Sequence, residues 1–338
     1  MAANIFGIDL GTSNIKIYNH QKNEILDEKN IIAIEGKKNI YAMGDAAFDM
    51  YEKAPENINI CYPIVNGVIA DIENMQILFR GMLERSGGHS LRNSKYIMAV
   101  PTDITEVEKR AFYDLVHMAN VKEKKIMFVE KPIADAVGLG LDVNSAKGIM
   151  VVDIGADTTE ISVISLGGIV LSKLLQIGGN HFNEAILLAI KKQENLLIGR
   201  KTAEMIKKKL VSEEGESEGT VKVFGRDIVT GLPMNREVDT SLVLDSIEEL
   251  LYTIVDAAKM ILERTPPELS SDIIENGIYL AGGSSNIMEL AKIMASETEL
   301  DVNICKLPEE CVVRGIARII DDKTLSGLTG EINEKIYR

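Results

Sequence analysis

Phe6-Gly7-Ile8-Asp9-Leu10-Gly11-Thr12-Ser13 decides how this chain is read, because a near-copy returns at Val151-Val152-Asp153-Ile154-Gly155-Ala156-Asp157-Thr158. Each stretch is an apolar strand carrying an Asp, then a Gly turn with a hydroxyl residue. Each runs on into a second strand, over 15–18 in one case and 160–165 in the other. Two β-hairpins of one design, about 140 residues apart, point to duplicated α/β lobes that face each other.

The rest of the chain fits that plan. Strands are expected over 31–34, 40–43, 96–100 and 125–129, then over 149–153, 169–176 and 278–281. Helices are expected over 71–84, from Thr105 to about 119, and from Pro132 onward. Thr105 with Glu108 three residues on is a capping box. In the second half helices are expected over 180–192, 201–210, 242–263 and 287–296, the third stopped by Pro266-Pro267. Residues 86–90 and the acidic stretch 212–220 read as exposed loops.

Composition narrows the function. A chain of 338 residues, 46% apolar, can fill two cores. No apolar run reaches the roughly 18 residues that span a membrane. The start enters a strand directly, without a charged-then-apolar leader, so a cytoplasmic protein is expected. A net charge of −14 argues against nucleic acid, which demands a clustered positive surface. Cys61, Cys305 and Cys311 lack metal-type spacing and read as reduced thiols. The four His, at 20, 89, 117 and 181, form no ligand pattern.

The turns themselves carry chemistry. A Gly turn lets backbone N–H groups approach phosphate oxygens, and hydroxyls add donors. Two such turns from opposite lobes would clamp a polyphosphate. Asp9 and Asp153 are candidates to hold Mg²⁺ through water, since that ion takes few carboxylates and keeps several waters. A third Gly turn, Gly282-Gly283-Ser284, lies between a strand and a helix and suits packing against a nucleoside.

These residues resemble the MreB family of bacterial actins, within the actin superfamily. Residues 7–14 look like its first phosphate motif, 151–160 its second, and 279–283 its adenosine motif. Segments 63–71, 164–170, 195–203, 225–233 and 265–272 read alike, so the resemblance covers nearly the whole chain. It implies an α/β, actin-like (duplicated ribonuclease H-like) fold of two lobes and four subdomains, with a nucleotide cleft between the lobes. Each lobe is expected to hold a five-stranded mixed sheet. The first lobe would span 1–145 with an accessory part at 32–70, and the second 146–321 with one at 183–242. Residues 322–338 would return to the first lobe.

The resemblance also assigns residues. ATP or ADP with Mg²⁺ would be bound by Gly11, Thr12, Ser13 and Asn14 from one lobe and Gly155, Ala156, Asp157 and Thr158 from the other. Gly178, Gly179 and Asn180 look like the family's Gly-Gly-Asp segment near phosphate and ribose. Glu204 and Lys207 match helix positions that touch ribose and base, although Lys207-Lys208-Lys209 also reads as a solvated helix face. Lys16 sits where actin carries a phosphate-contacting Lys; alternation on a strand leaves phosphate and solvent both open.

Besides Lys16, two departures matter. The family's Glu-Glu-Pro, whose second carboxylate positions the attacking water, is here Glu130-Lys131-Pro132. An ammonium cannot accept the water's proton, so hydrolysis should be very slow. Asp157 replaces a family Gly and would repel the γ-phosphate unless a cation compensates, which suggests a Lys131–Asp157 pair. Thr158, the hydroxyl that helps hold the water, is retained. The family's membrane loop corresponds to 86–95, where Leu91 stands alone among Arg85, Arg92 and Lys95, implying weak membrane contact.

The function so implied is an ATP-binding actin homologue that polymerises into filaments for cell shape, or for motility in a wall-less cell. Its partners would be itself in paired protofilaments, paralogous actins, and the inner face of the membrane. The competing readings are a non-polymerising kinase or a chaperone-type nucleotide switch on the same cleft. A kinase would need a carboxylate base in a substrate pocket, and a chaperone a peptide-binding domain.

Overall fold

Apolar residues on both faces of a strand mean a sheet covered on both sides, and two such sheets organise the chain. The computed structural model describes residues 4–36, 39–87, 91, 93–119, 125–212 and 219–331. The first half runs β1 (Ile5–Leu10), β2 (Asn14–Asn19), β3 (Glu24–Lys29), β4 (Ile32–Glu35), β5 (Asn39–Met43), α1 (Asp45–Met50), β6 (Ile58–Cys61), β7 (Ile64–Val65), β8 (Val68–Ile69), α2 (Ile72–Gly87), β9 (Lys95–Val100), α3 (Glu106–Met118), β10 (Lys125–Glu130) and α4 (Lys131–Leu139). The second runs β11 (Ile149–Ile154), β12 (Thr159–Ser165), β13 (Gly168–Leu175), α5 (Gly179–Gln193), β14 (Leu196–Leu197), α6 (Arg200–Ser212), β15 (Thr220–Asp227), β16 (Pro233–Asp239), α7 (Thr240–Arg264), α8 (Pro267–Asn276), β17 (Ile278–Ala281), α9 (Met288–Thr298), β18 (Val302–Ile304) and α10 (Cys311–Asp321).

The strand orders display the duplication. One sheet is β10-β9-β1-β2-β3 and the other β18-β17-β11-β12-β13 when written in the same sense. In each, a three-strand antiparallel meander is extended by two parallel strands. Each half adds a small three-stranded sheet, β5-β4-β6 in the first and β14-β15-β16 in the second. Five-stranded mixed sheets in both halves were expected from the resemblance.

One apolar cluster joins the halves. Ile97, Ala99 and Val129 from the first sheet and Val151, Ile164 and Ala281 from the second pack on α4 and α10. The two helices touch backbone to backbone. A Cβ on Gly315 would lie 1.7 Å from the Ala134 carbonyl oxygen, and one on Gly138 would lie 2.0 Å from that of Cys311. Only glycine permits that approach. The crossing of α4 and α10 therefore sets how the halves meet, and with them the cleft between the repeated turns. Near the C-terminus, Gly330 exchanges two backbone hydrogen bonds with Phe128 of β10.

Several expectations change here. Leu91 is buried and packs with Phe6 and Gly87, while the Tyr96 hydroxyl donates to its carbonyl. It is a core residue and cannot serve as a membrane wedge. Arg85 is engaged with Glu28 at 2.9 Å, and Lys95 opens β9. Residues 88–90 and 92 of that loop lie outside the described residues. So do 213–218 of the expected acidic loop; α6 reaches Ser212 and β15 begins at Thr220. The three thiols are free, and the sulfurs of Cys305 and Cys311 are 3.1 Å apart.

Candidate nucleotide cleft

The repeated turns have one geometry. The Gly11 N–H donates to the Asn14 carbonyl at 3.0 Å, and the Gly155 N–H donates to the Thr158 carbonyl at 2.8 Å. Both turns face a cavity of about 790 Å³ between the halves. Its wall includes Gly11, Thr12, Ser13, Asn14 and Lys16 on one side and Gly155, Ala156, Asp157 and Thr158 on the other. Gly179, Asn180, Glu204, Lys207, Gly282, Gly283 and Ser284 complete the expected set. Gly178 is the one site candidate not on the wall; it is pressed against the backbone of Ala156 and Asp157.

The third turn is tied to the second. The Ser284 hydroxyl donates to the Gly155 carbonyl at 3.1 Å, and Gly282 has φ +79°, which favours glycine. Lys207 is buried and donates to the Gly179 carbonyl at 2.6 Å, so it is not part of a solvated face. Burial brings its ammonium pKa down to about 8. Glu204 pairs with Lys208 at 2.6 Å. At the mouth, the Glu52 carboxylate accepts the N–H groups of Arg200 and Lys201 at the start of α6, joining the two accessory parts.

Lys16 is buried and lines the cavity, opposite Asp9 in the β1–β2 register, so alternation turns it inward. Lys29, Phe48, Tyr51 and Tyr62 also line the wall and were not read from the sequence. Lys29 donates to Ser13 Oγ at 3.2 Å and to Asn14 Oδ1 at 3.1 Å, so it braces the first turn.

Lys131, the first residue of α4, lies on the cavity floor. Its Nζ is 3.9 Å from Asp9 Oδ1 and 3.7 Å from Asp153 Oδ2. Burial disfavours the ammonium, but Asp9, Asp153, Asp135 and Glu160 outweigh it and raise its pKa. It stays charged at every physiological pH. The expected Lys131–Asp157 pair is not formed. Asp157 instead accepts the Asn66 N–H at 2.9 Å and the Asn180 side-chain amide at 2.7 Å. Asn66 belongs to the β7–β8 turn of the first half, so Asp157 links the halves across the cleft.

The Asp9–Asp153 pair also bears on the magnesium ion implied by the family. The carboxylates converge as expected, but an ammonium already stands within ion-pair distance of both. The donor set at this point does not fit a hydrated dication. Among the described residues, no group of three or more His, Cys, Asp or Glu side chains is placed to hold a metal.

Two buried acids lie near Lys131, Glu160 on the cavity wall and Asp135 outside it. Asp135 lies one helical turn after Lys131, fully buried, with neither carboxylate oxygen hydrogen-bonded. Burial, then Asp153, pushes its pKa well above the usual range. The i to i+4 spacing from Lys131 was the signal that could have found it. Glu160, the register partner of Asp153, accepts the backbone N–H and hydroxyl of Thr102 from the other half. Burial pushes Glu160 up to about 7 despite those bonds. Its folded pKa thus exceeds the ordinary 4.5, so its contribution to stability is complete below 4.5 and is lost as pH rises through about 7. Glu160→Gln is therefore expected to flatten the fall in melting temperature across that window. Thermal melts of both proteins on either side of it check this.

Comparison with known proteins agrees with this architecture. The family described as MreB/Mbl protein matches residues 3–326. The cell shape-determining protein Mbl of Bacillus subtilis is 35% identical over 325 residues, 95% of this chain and 97% of that protein. The cell shape-determining protein MreB of Escherichia coli is 35% identical over 329 residues, 95% and 94% of the two chains. The crystal structure of MreB5 of Spiroplasma citri bound to AMPPNP superposes with a TM-score of 0.90 at 31% identity, over 97% of this chain and 98% of that one. A MamK double helical filament, at 21% identity and a TM-score of 0.78, shares the fold. With the duplicated sheets, the facing turns and nearly the full length in agreement, the chain belongs to the MreB/Mbl family of bacterial actin homologues.

Proposed function

We propose that this chain binds ATP or ADP in the cleft and polymerises into filaments that act in cell shape, with ATP hydrolysis reduced to a very slow rate. The observation that carries this reading is Lys131. Two repeated phosphate turns face each other across a cleft of nucleotide size, yet an ammonium fixed by Asp9 and Asp153 stands where the family has its water-positioning carboxylate. The turns at 11–14 and 155–158 would take the phosphates through backbone N–H groups. Lys16 and Lys131 would supply charge, and Gly179, Glu204, Lys207 and the 282–284 turn would hold ribose and base.

Family membership supports polymerisation, in which head-to-tail, heterologous contacts would make open filaments. Cytoplasmic filaments in paired protofilaments are the form this reading assigns. The Spiroplasma citri relative bound to AMPPNP, and the same protein bound to ADP at a TM-score of 0.89, support a cleft that accepts either nucleotide state. The kinase alternative is not favoured, because the cleft carboxylate Glu160 is held by Thr102 and so is not presented to a substrate. Sedimentation of the purified chain with ATP, AMPPNP, ADP or no nucleotide tests the proposal. Polymer is expected with bound nucleotide, and failure to pellet under every condition would refute it.

A further inference from the structure

The family reading would have Asp9 and Asp153 hold a hydrated Mg²⁺ that accompanies the phosphates. In this chain they are buried, at 5% and 7% exposure, and both face the Lys131 ammonium. Asp9 Oδ1 has no hydrogen bond of its own, so its charge is met by that ammonium at 3.9 Å. Lys131 is anchored at the start of α4, whose position is set by the Gly138 and Gly315 contacts with α10. The cation is therefore built into the scaffold. Lys16 adds a second buried cation on the same floor, at the strand position opposite Asp9.

We propose that Lys131 takes the place of the dication, so that this chain binds nucleoside polyphosphates in their metal-free form. The inference rests on the cleft being a nucleotide site and specifies which form of nucleotide it takes. The Lys131 ammonium between the two carboxylates offsets one of their two charges and the buried Lys16 supplies the second cation, so little net negative charge remains to draw in a dication. A dication arriving at the same point would meet that ammonium at close range and find its two carboxylate partners engaged. Lysine is a compact point charge with rotatable donors, suited to phosphate oxygens without demanding a coordination geometry.

The test is the dissociation constant of a fluorescent ADP analogue for the full-length protein, with millimolar Mg²⁺ or with excess EDTA. The wild-type constant is expected to agree between the two buffers within about threefold. Lys131→Gln is expected to bind at least about tenfold more weakly in EDTA than the wild type, and Lys131→Glu to bind only when Mg²⁺ is present. Circular dichroism melts confirm that each variant is folded, and the wild-type comparison stands even where a variant is not. A wild-type loss of more than about tenfold on chelation would overturn the inference while leaving the nucleotide site intact. Absence of binding in both buffers would overturn the nucleotide reading itself, and this inference with it.

Discussion

Lys131→Glu is expected to raise phosphate release from ATP by about a hundredfold over the unmodified chain, measured in Mg²⁺. Phosphoryl transfer to water depends on holding the water in line and accepting its proton as the bond forms. Positioned bases contribute roughly 10² to 10⁴ in rate. The Lys131 ammonium is kept protonated by the four acids around it and has no lone pair to offer. On the proposed reading, a carboxylate there would restore the partner that Thr158, still on the cleft wall, needs to hold the water. The lower end of the range is expected because the new Glu would stand among Asp9, Asp153, Asp135 and Glu160, the four acids that act on this position, and ionises at a cost. A colorimetric phosphate assay on both proteins decides it; equal rates would mean that Lys131 is not what limits turnover.

Asp157→Gly is expected to shift nucleotide preference toward ATP over ADP by about tenfold. The Asp157 carboxylate sits in the second Gly turn and accepts donors from Asn66 and Asn180. A carboxylate about 6 Å from a γ-phosphate costs roughly 3 kcal/mol per charge pair at an effective dielectric of about 20, and ions and nearby lysines reduce this to roughly 1.4. Asp157→Asn separates charge from structure. It removes the repulsion while its amide oxygen still accepts the Asn66 N–H, so the preference should move as in the Gly variant. The link between halves should loosen in the Gly variant alone. Competition titrations of ATP against ADP read the first effect, and protease sensitivity of the nucleotide-free protein reads the second.

How much of this was legible in the sequence depended on distance along the chain. The hairpins at 6–18 and 151–165 were readable because strand, Asp, Gly turn and strand are local features, and their repetition implied facing sheets. Lys131 was recognisable as a departure, but its partner was not. The pairing with Asp9 and Asp153 follows from where two sheets meet, which no spacing states. Lys16 became decidable only when the β1–β2 register placed it opposite Asp9. Phe48, Tyr51 and Tyr62 reach the cleft through the fold of the first accessory sheet, so nothing local marked them. Leu91 was misread because its charged neighbours suggest a surface loop, whereas the chain turns it into the core beside Phe6.

Other misses had a usable signal. Thr220–Asp227 alternates buried and exposed residues along much of its length, a period-2 pattern that marks a strand. Cys311–Asp321 carries Val312, Val313, Ile316 and Ile319 on one buried face, the helical period, and α10 proves to be half of the joint between sheets. Asp135 stood at the i+4 position from an unusual Lys on a helix. Reading charge pairs at helical spacing would have tied it to Lys131.

The central claim is that filament assembly runs on nucleotide binding rather than on turnover. The most direct measurement follows polymer mass and released phosphate together in one sample after ATP is added to the purified chain. The account predicts that polymer reaches its plateau while phosphate remains far below one per assembled subunit. Phosphate rising in step with polymer, one per subunit, would contradict it and show that this cleft positions water by some group other than the residue at 131.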